Sequence, residues 1–170
     1  IERYDNEGRN IRIDLGELSV MSAYFPSGTT GDERQAVKMD YLDDFYNYIV
    51  GLKNTRSKLL VCGDFNICHK PIDIHNPVAN KDASGFKPEE REWMEKLFSS
   101  GFIDTFRQFN KQPDEYSWWS FRANSRANNK GWRIDYIAAT EGLRNSLVSS
   151  KMHQDAKHSD HCPVSCVVNL

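Results

Sequence analysis

Lys58-Leu59-Leu60-Val61-Cys62-Gly63-Asp64-Phe65-Asn66 is the stretch around which the rest of the chain organises. An apolar run closed by Gly-Asp reads as a buried strand whose C-terminal end opens on a loop. If the backbone stays extended through Phe65, Asp64 and Asn66 point to the same side. A carboxylate and a carboxamide placed that way can share one water or one phosphate. The same residues also suit an Asx turn, in which the Asp side chain only bonds nearby backbone. The local sequence leaves both readings open.

Outward from this strand, residues 11–15 and 18–24 read as a hairpin joined at Gly16-Glu17 and stopped by Pro26-Ser27-Gly28. Asp32 can cap a helix over 32–53, with Val37, Tyr41, Phe45, Tyr48, Ile49 and Leu52 at helical spacing. Residues 67–87 show no periodicity, and a loop of that length is more often functional than idle. Pro88 opens a second helix that turns Trp93, Leu97 and Phe98 inward and ends at Gly101. Further strands are expected over 116–121, 133–139, 147–152 and 163–168. Without repeats or a linker, residues 1–170 read as one layered α/β domain.

At 170 residues and 39% hydrophobic content the chain can bury a substantial core. A formal charge of −2 gives no general attraction to nucleic acid, so any polyanion site must be a local patch. No run approaches the length of a membrane span, and no signal peptide is visible. Cys62, Cys68, Cys162 and Cys166 lack paired zinc spacing and read as reduced thiols, which places the protein in the cytoplasm.

Two further stretches share the pattern of polar groups beside an apolar run: Trp132-Arg133-Ile134-Asp135-Tyr136 and Ser159-Asp160-His161. Asp64, Asp135, Asp160, Asn66 and His161 gathered at the strand ends of one sheet suggest a divalent-metal, phosphate-cleaving site. A carboxylate on one imidazole nitrogen would leave the other for substrate, but spacing alone does not say whether Asp135 or Asp160 supplies it. A lone His at that place more often bonds backbone. Between Ser117 and Ile134 stand Arg122, Arg126, Lys130 and Arg133 with no acid, interleaved with Trp118, Trp119 and Trp132. That mixture suits stacking on an unpaired nucleotide and neutralising phosphates, or else a solvated hairpin with core tryptophans. Tyr24, at a strand end, reads on its own as a core residue.

Tyr24-Phe25-Pro26-Ser27-Gly28, Gly63-Asp64-Phe65-Asn66-Ile67, Gly85-Phe86 with Pro88-Glu89-Glu90-Arg91, Trp118-Trp119, Gly131-Trp132-Arg133-Ile134-Asp135-Tyr136 and Ser159-Asp160-His161-Cys162-Pro163 together resemble the exodeoxyribonuclease III family of apurinic/apyrimidinic endonucleases. The resemblance implies a four-layer α/β sandwich of the deoxyribonuclease I-like type and hydrolysis of DNA phosphodiesters dependent on Mg2+, with Mn2+ a substitute. It implies that Asp64 orients or deprotonates the attacking water, that Asn66 steadies it, and that His161 contacts a phosphoryl oxygen with its ring held by Asp135. Tyr24 would support the phosphate or leaving group. The implied metal set is Asp64, Asn66, Asp160 and His161. Asn80, Trp118, Arg122, Lys130, Trp132 and Arg133 would contact double-stranded DNA carrying abasic sites or 3′ ends, and the protein would act as a monomer. Family members begin with a strand bearing an Asn and a segment ending in a Glu of the metal site. Neither precedes Ile1, so the expectation is a chain corresponding to the larger, C-terminal part of the domain, slow in cleavage by itself. The alternatives are a DNA-binding fragment without catalysis and a phosphatase of a phosphorylated lipid or small molecule.

Overall fold

The computed structural model describes residues 2–170. A short helix, α1 (Glu2–Asp5), precedes the hairpin β1 (Asn10–Leu15) and β2 (Leu18–Ala23). There follow α2 (Asp32–Thr55), β3 (Lys58–Asp64), α3 (Pro88–Ser99), β4 (Phe102–Asp104), α4 (Thr105–Phe109), β5 (Asp135–Thr140), β6 (Leu147–Met152) and β7 (Val164–Val168). The first five strands form one sheet in the order β1-β2-β3-β5-β4, and β6 and β7 pair separately. Only β2 and β3 run parallel; they are joined by the crossover through α2.

The two-residue period of the strands decides which side chain meets which layer. Met21, Ala23, Leu59, Val61, Tyr136 and Ala138 share a core with Tyr41, Phe45 and Ile49 of α2 and with Trp93 and Leu97 of α3. Their alternates Leu18, Val20, Leu60 and Ala139 face the other way, where Leu147 and Val168 of the small sheet meet them. Among the described residues the layers are therefore helices, the five-stranded sheet and the two-stranded sheet. The small sheet does not reach the hairpin edge, so Ile11, Ile13 and Leu15 of β1 remain exposed.

Several elements differ from those read in the sequence. The buried stripe of α2 runs through Gln35, Lys38, Tyr41, Leu42, Phe45 and Ile49, while Val37 and Tyr48 face solvent. Lys38 and Gln35 are internal because both bond Glu90, a buried acid of α3. The N-cap of α2 is Gly31, and Asp32 is its first helical residue. Residues 116–121 form no strand. Trp118 makes isolated bridges to Trp132 and His161, and the chain then enters a short turn with positive φ at Ala123 and Asn124. β4 and α4, of 3 and 5 residues, are too short to show a period in sequence.

Gly63 is the one glycine on which the site depends directly. Its φ is 143°, and a Cβ there would lie 1.9 Å from the carbonyl oxygen of Ala23. The end of β3 approaches the end of β2 closely only because this position lacks a side chain. Asp64 is thereby carried to the rim of the sheet.

Candidate active site

Asp64 closes β3 and Asp135 opens β5, and the antiparallel register sets them opposite one another. At Asn66 the backbone turns into the left-handed region, with φ of 53°. Asn66 donates its backbone N–H to Asp64 Oδ1 at 2.8 Å and its Nδ2 to Asp64 Oδ2 at 3.1 Å and to Phe25 O at 3.0 Å. The extended geometry expected through Phe65 is absent, and an Asx-type turn takes its place. Both side chains nevertheless line one pocket, so the turn is what holds the pair together. From below, the buried Lys38 donates Nζ to Asn66 O at 2.8 Å. Sequence reading missed this support, since a lysine in a helix looks like a surface residue.

His161 Nδ1 lies 2.9 Å from Asp135 Oδ2, the hydrogen bond expected of the pair. Nε2 is the nitrogen left for a substrate. Asp160 points elsewhere: its Oδ2 accepts from Trp118 Nε1 at 3.0 Å and its Oδ1 from Ser159 Oγ at 3.1 Å. Trp118 and Trp132 meet edge to face, with centroids 6.0 Å apart. They form one wall of an open pocket of about 660 Å3 that Tyr24, Asp64, Asn66 and His161 also line. Tyr24 is 56% exposed at its rim and is not a core residue. The opposite wall, including Ser27, Gly28, Ser84, Gly85 and Lys87, was signalled in sequence only by the Pro-Ser-Gly turn and the long loop.

The charges in this pocket are poised. Burial, reinforced by Asp135, pushes the Asp64 carboxyl up to about 7. For His161, burial opposes protonation, but the Asp135 hydrogen bond and the charges of Asp135, Asp64 and Asp160 outweigh it, and its pKa is raised. Asp160 goes the other way: burial raises it, and the Trp118 and Ser159 hydrogen bonds bring it below the ordinary range.

Not every residue expected at the site reaches it. Arg133 is 1% exposed and faces away from the pocket. Its Nε donates to Asp73 Oδ1 at 2.8 Å and its Nη2 to Asp104 Oδ2 at 2.7 Å. A guanidinium held in that way is unavailable to DNA. Asn80 folds back on its own loop, giving Nδ2 to His75 O and Asn76 O. Arg122 and Lys130 are exposed on the 121–130 loop and do not line the pocket. Trp119 is buried, as expected for one of the adjacent tryptophans. Among the described residues no three His, Cys, Asp or Glu side chains converge to hold a metal ion, so Asp64, Asp160 and His161 do not form the ligand group inferred from sequence.

A carboxylate-amide pair, a carboxylate-held imidazole and aromatic walls on a mixed α/β sandwich define a hydrolase site built for a phosphate ester. Residues 2–161 match the endonuclease/exonuclease/phosphatase family model, and the chain belongs to that family. It is 38% identical to an exodeoxyribonuclease of Bacillus subtilis, an alignment covering 100% of this chain and 68% of that protein. It is also 38% identical to the DNA repair nuclease APEX1 of Danio rerio, covering 96% of this chain and 53% of that one. Among solved structures, an AP endonuclease from Archaeoglobus fulgidus superposes with a TM-score of 0.89 at 27% identity, over 97% of this chain and 66% of its own. The fold is accordingly the deoxyribonuclease I-like one. The chain spans about half to two thirds of the length of these relatives.

The family is a metal-dependent class of nucleases. The donor chemistry here fits a small hard cation. Asp64 is held near neutrality by burial and a second carboxylate, an excess of negative charge that a cation relieves. Mg2+ in particular takes one or two carboxylates and completes its shell with water and substrate phosphate.

A stability measurement in chelator reads this charge directly. Folded Asp64 binds its proton more tightly than the unfolded chain does, so its stabilising contribution is complete below 3.8 and is lost as pH rises through about 7. The wild type is expected to lose on the order of 2–3 kcal/mol more than Asp64→Asn between pH 5 and 8, allowing for partial exposure. His161, also raised, contributes in the same direction and remains in the variant. Parallel pH profiles from urea unfolding of the two proteins would remove the assignment.

Proposed function

We propose that the chain is the C-terminal larger part of a DNA-repair phosphodiesterase, folded as a single domain and acting as a monomer on duplex DNA at abasic sites and 3′ ends. The observation that carries this is the convergence of the Asp64–Asn66 pair and the Asp135-held His161 in one pocket walled by Trp118 and Trp132. Asp64 orients a water and takes its proton as the oxygen attacks phosphorus. The bond from phosphorus to the leaving oxygen breaks in the same displacement. A carboxyl lifted toward neutral pH suits that role, since a base works best near the operating pH. Asn66 steadies the water. His161, kept cationic by Asp135, donates Nε2–H to a phosphoryl oxygen, where preorganised donors act strongly on developing charge. Tyr24 faces the same phosphate or its leaving group. Mg2+, held by Asp64 with the carboxamide of Asn66, would neutralise charge on the phosphate when bound.

Trp118, steadied by Asp160, and Trp132 enclose a space suited to an extruded abasic sugar, which has no base stacking to lose. Arg122 and Lys130 flank that space as exposed cations for the DNA backbone, and Asn80 lies on the loop beyond the opposite wall.

The reading is tested with a substrate panel at fixed Mg2+: an abasic duplex, an undamaged duplex with a recessed 3′ end, and a phosphorylated inositol lipid. Incision of the abasic duplex, lost in His161→Ala, is the expected result. Phosphate release from the lipid with no DNA cleaved would replace it with the phosphatase alternative.

A further inference from the structure

The 121–130 loop carries three cations, and they do not share a role. Arg122 and Lys130 are exposed, whereas Arg126 is turned inward over the indole of Trp119, 4.5 Å from the ring centroid. Its Nη1 donates to Ser159 O at 2.6 Å, and its Nη2 donates to Gln154 O at 3.1 Å and Ala156 O at 2.7 Å. All three acceptors belong to the irregular segment between β6 and β7 that ends in Asp160 and His161. That segment has no strand or helix of its own to fix it. Its backbone is pinned from the same side once more, where Trp119 N donates to Asp160 O at 2.9 Å.

We infer that Arg126 is a positioning residue that ties the 121–130 loop to the backbone bearing His161, so that the two move as one body. The inference rests on the proposed role of His161 at the phosphate. The guanidinium is the group this task requires: its planar fork reaches three carbonyls at once, which an ammonium cannot do. The consequence is mechanical. Seating DNA on Arg122 and Lys130 fixes the loop, and through Arg126 it fixes the imidazole against the scissile phosphate. Loss of the tie leaves the DNA contacts in place and frees His161 from its working position, and misplacement by about 1 Å costs roughly 100-fold in rate.

Arg126→Met keeps the apolar stem over Trp119 and removes all three donors. The expected result is a fall in kcat of roughly 10- to 100-fold with KM for the abasic duplex within about 3-fold of wild type. In DNA-free protein the His161 ring signals in nitrogen-proton NMR spectra should shift and broaden. Arg126→Lys, which restores one donor, should lie between the two and carries the same readouts if the Met variant does not fold. Unchanged His161 signals would overturn the inference, as would a loss confined to KM, which would make Arg126 a plain DNA contact. The NMR readout holds whether or not the wild type cleaves DNA. Failure of cleavage by the wild type would therefore count against the proposed function alone.

Discussion

Asp64→Asn is expected to lower kcat on an abasic duplex by roughly 1000-fold or more while leaving the DNA dissociation constant within a few-fold of wild type. The substitution keeps the shape of the side chain and removes its capacity to take a proton or to hold a cation. The turn that holds Asn66 can survive, because Oδ1 of the new amide can still accept the Asn66 backbone N–H. What is lost is the charge, and the acceptor for Asn66 Nδ2 is weakened. Single-turnover cleavage and a binding titration on the same DNA separate the two effects. A parallel loss of affinity and rate would move Asp64 from base to binding residue.

Arg133→Met is expected to be the most damaging single change to stability, at about 3–5 kcal/mol. Asp73 and Asp104 are 1% and 11% exposed, and Arg133 bonds both. Asp73 retains Arg107, whereas Asp104 loses its ion-pair partner. Removing one member of a buried ionic cluster strands the others, so the loss exceeds what the bonds themselves contribute. Urea unfolding measures it, and Arg133→Met combined with Asp104→Asn should recover part of the loss by removing the stranded charge. The opposite pattern, intact stability with weakened DNA binding, would return Arg133 to the DNA surface where its place in the sequence first put it.

The two residues show where sequence reading worked and where it stopped. Asp64 was legible because an apolar run, a Gly and an Asp sit in consecutive positions, and the strand that carries the acid is local. The helices over α2 and α3 were legible for the same reason: period and punctuation are properties of neighbours in the chain. Arg133 was misread because its neighbours in sequence are Trp132 and Ile134, both at the pocket. A strand-like backbone sends adjacent side chains to opposite sides, and nothing local says which side is water.

Composition, motif order and hydrophobic period determined by themselves that this is an α/β domain with a phosphate-ester site of the endonuclease/exonuclease/phosphatase kind. Tertiary structure decided the pairings. It gave Asp135 rather than Asp160 to His161, although Asp160 is adjacent in the chain, because β5 delivers Asp135 to the imidazole while Asp160 is turned toward Trp118. It put Lys38 beneath Asn66 and turned Arg126 away from solvent. These are contacts between residues far apart in sequence, and a polar side chain's partner depends on what the folded chain brings within about 3 Å of it.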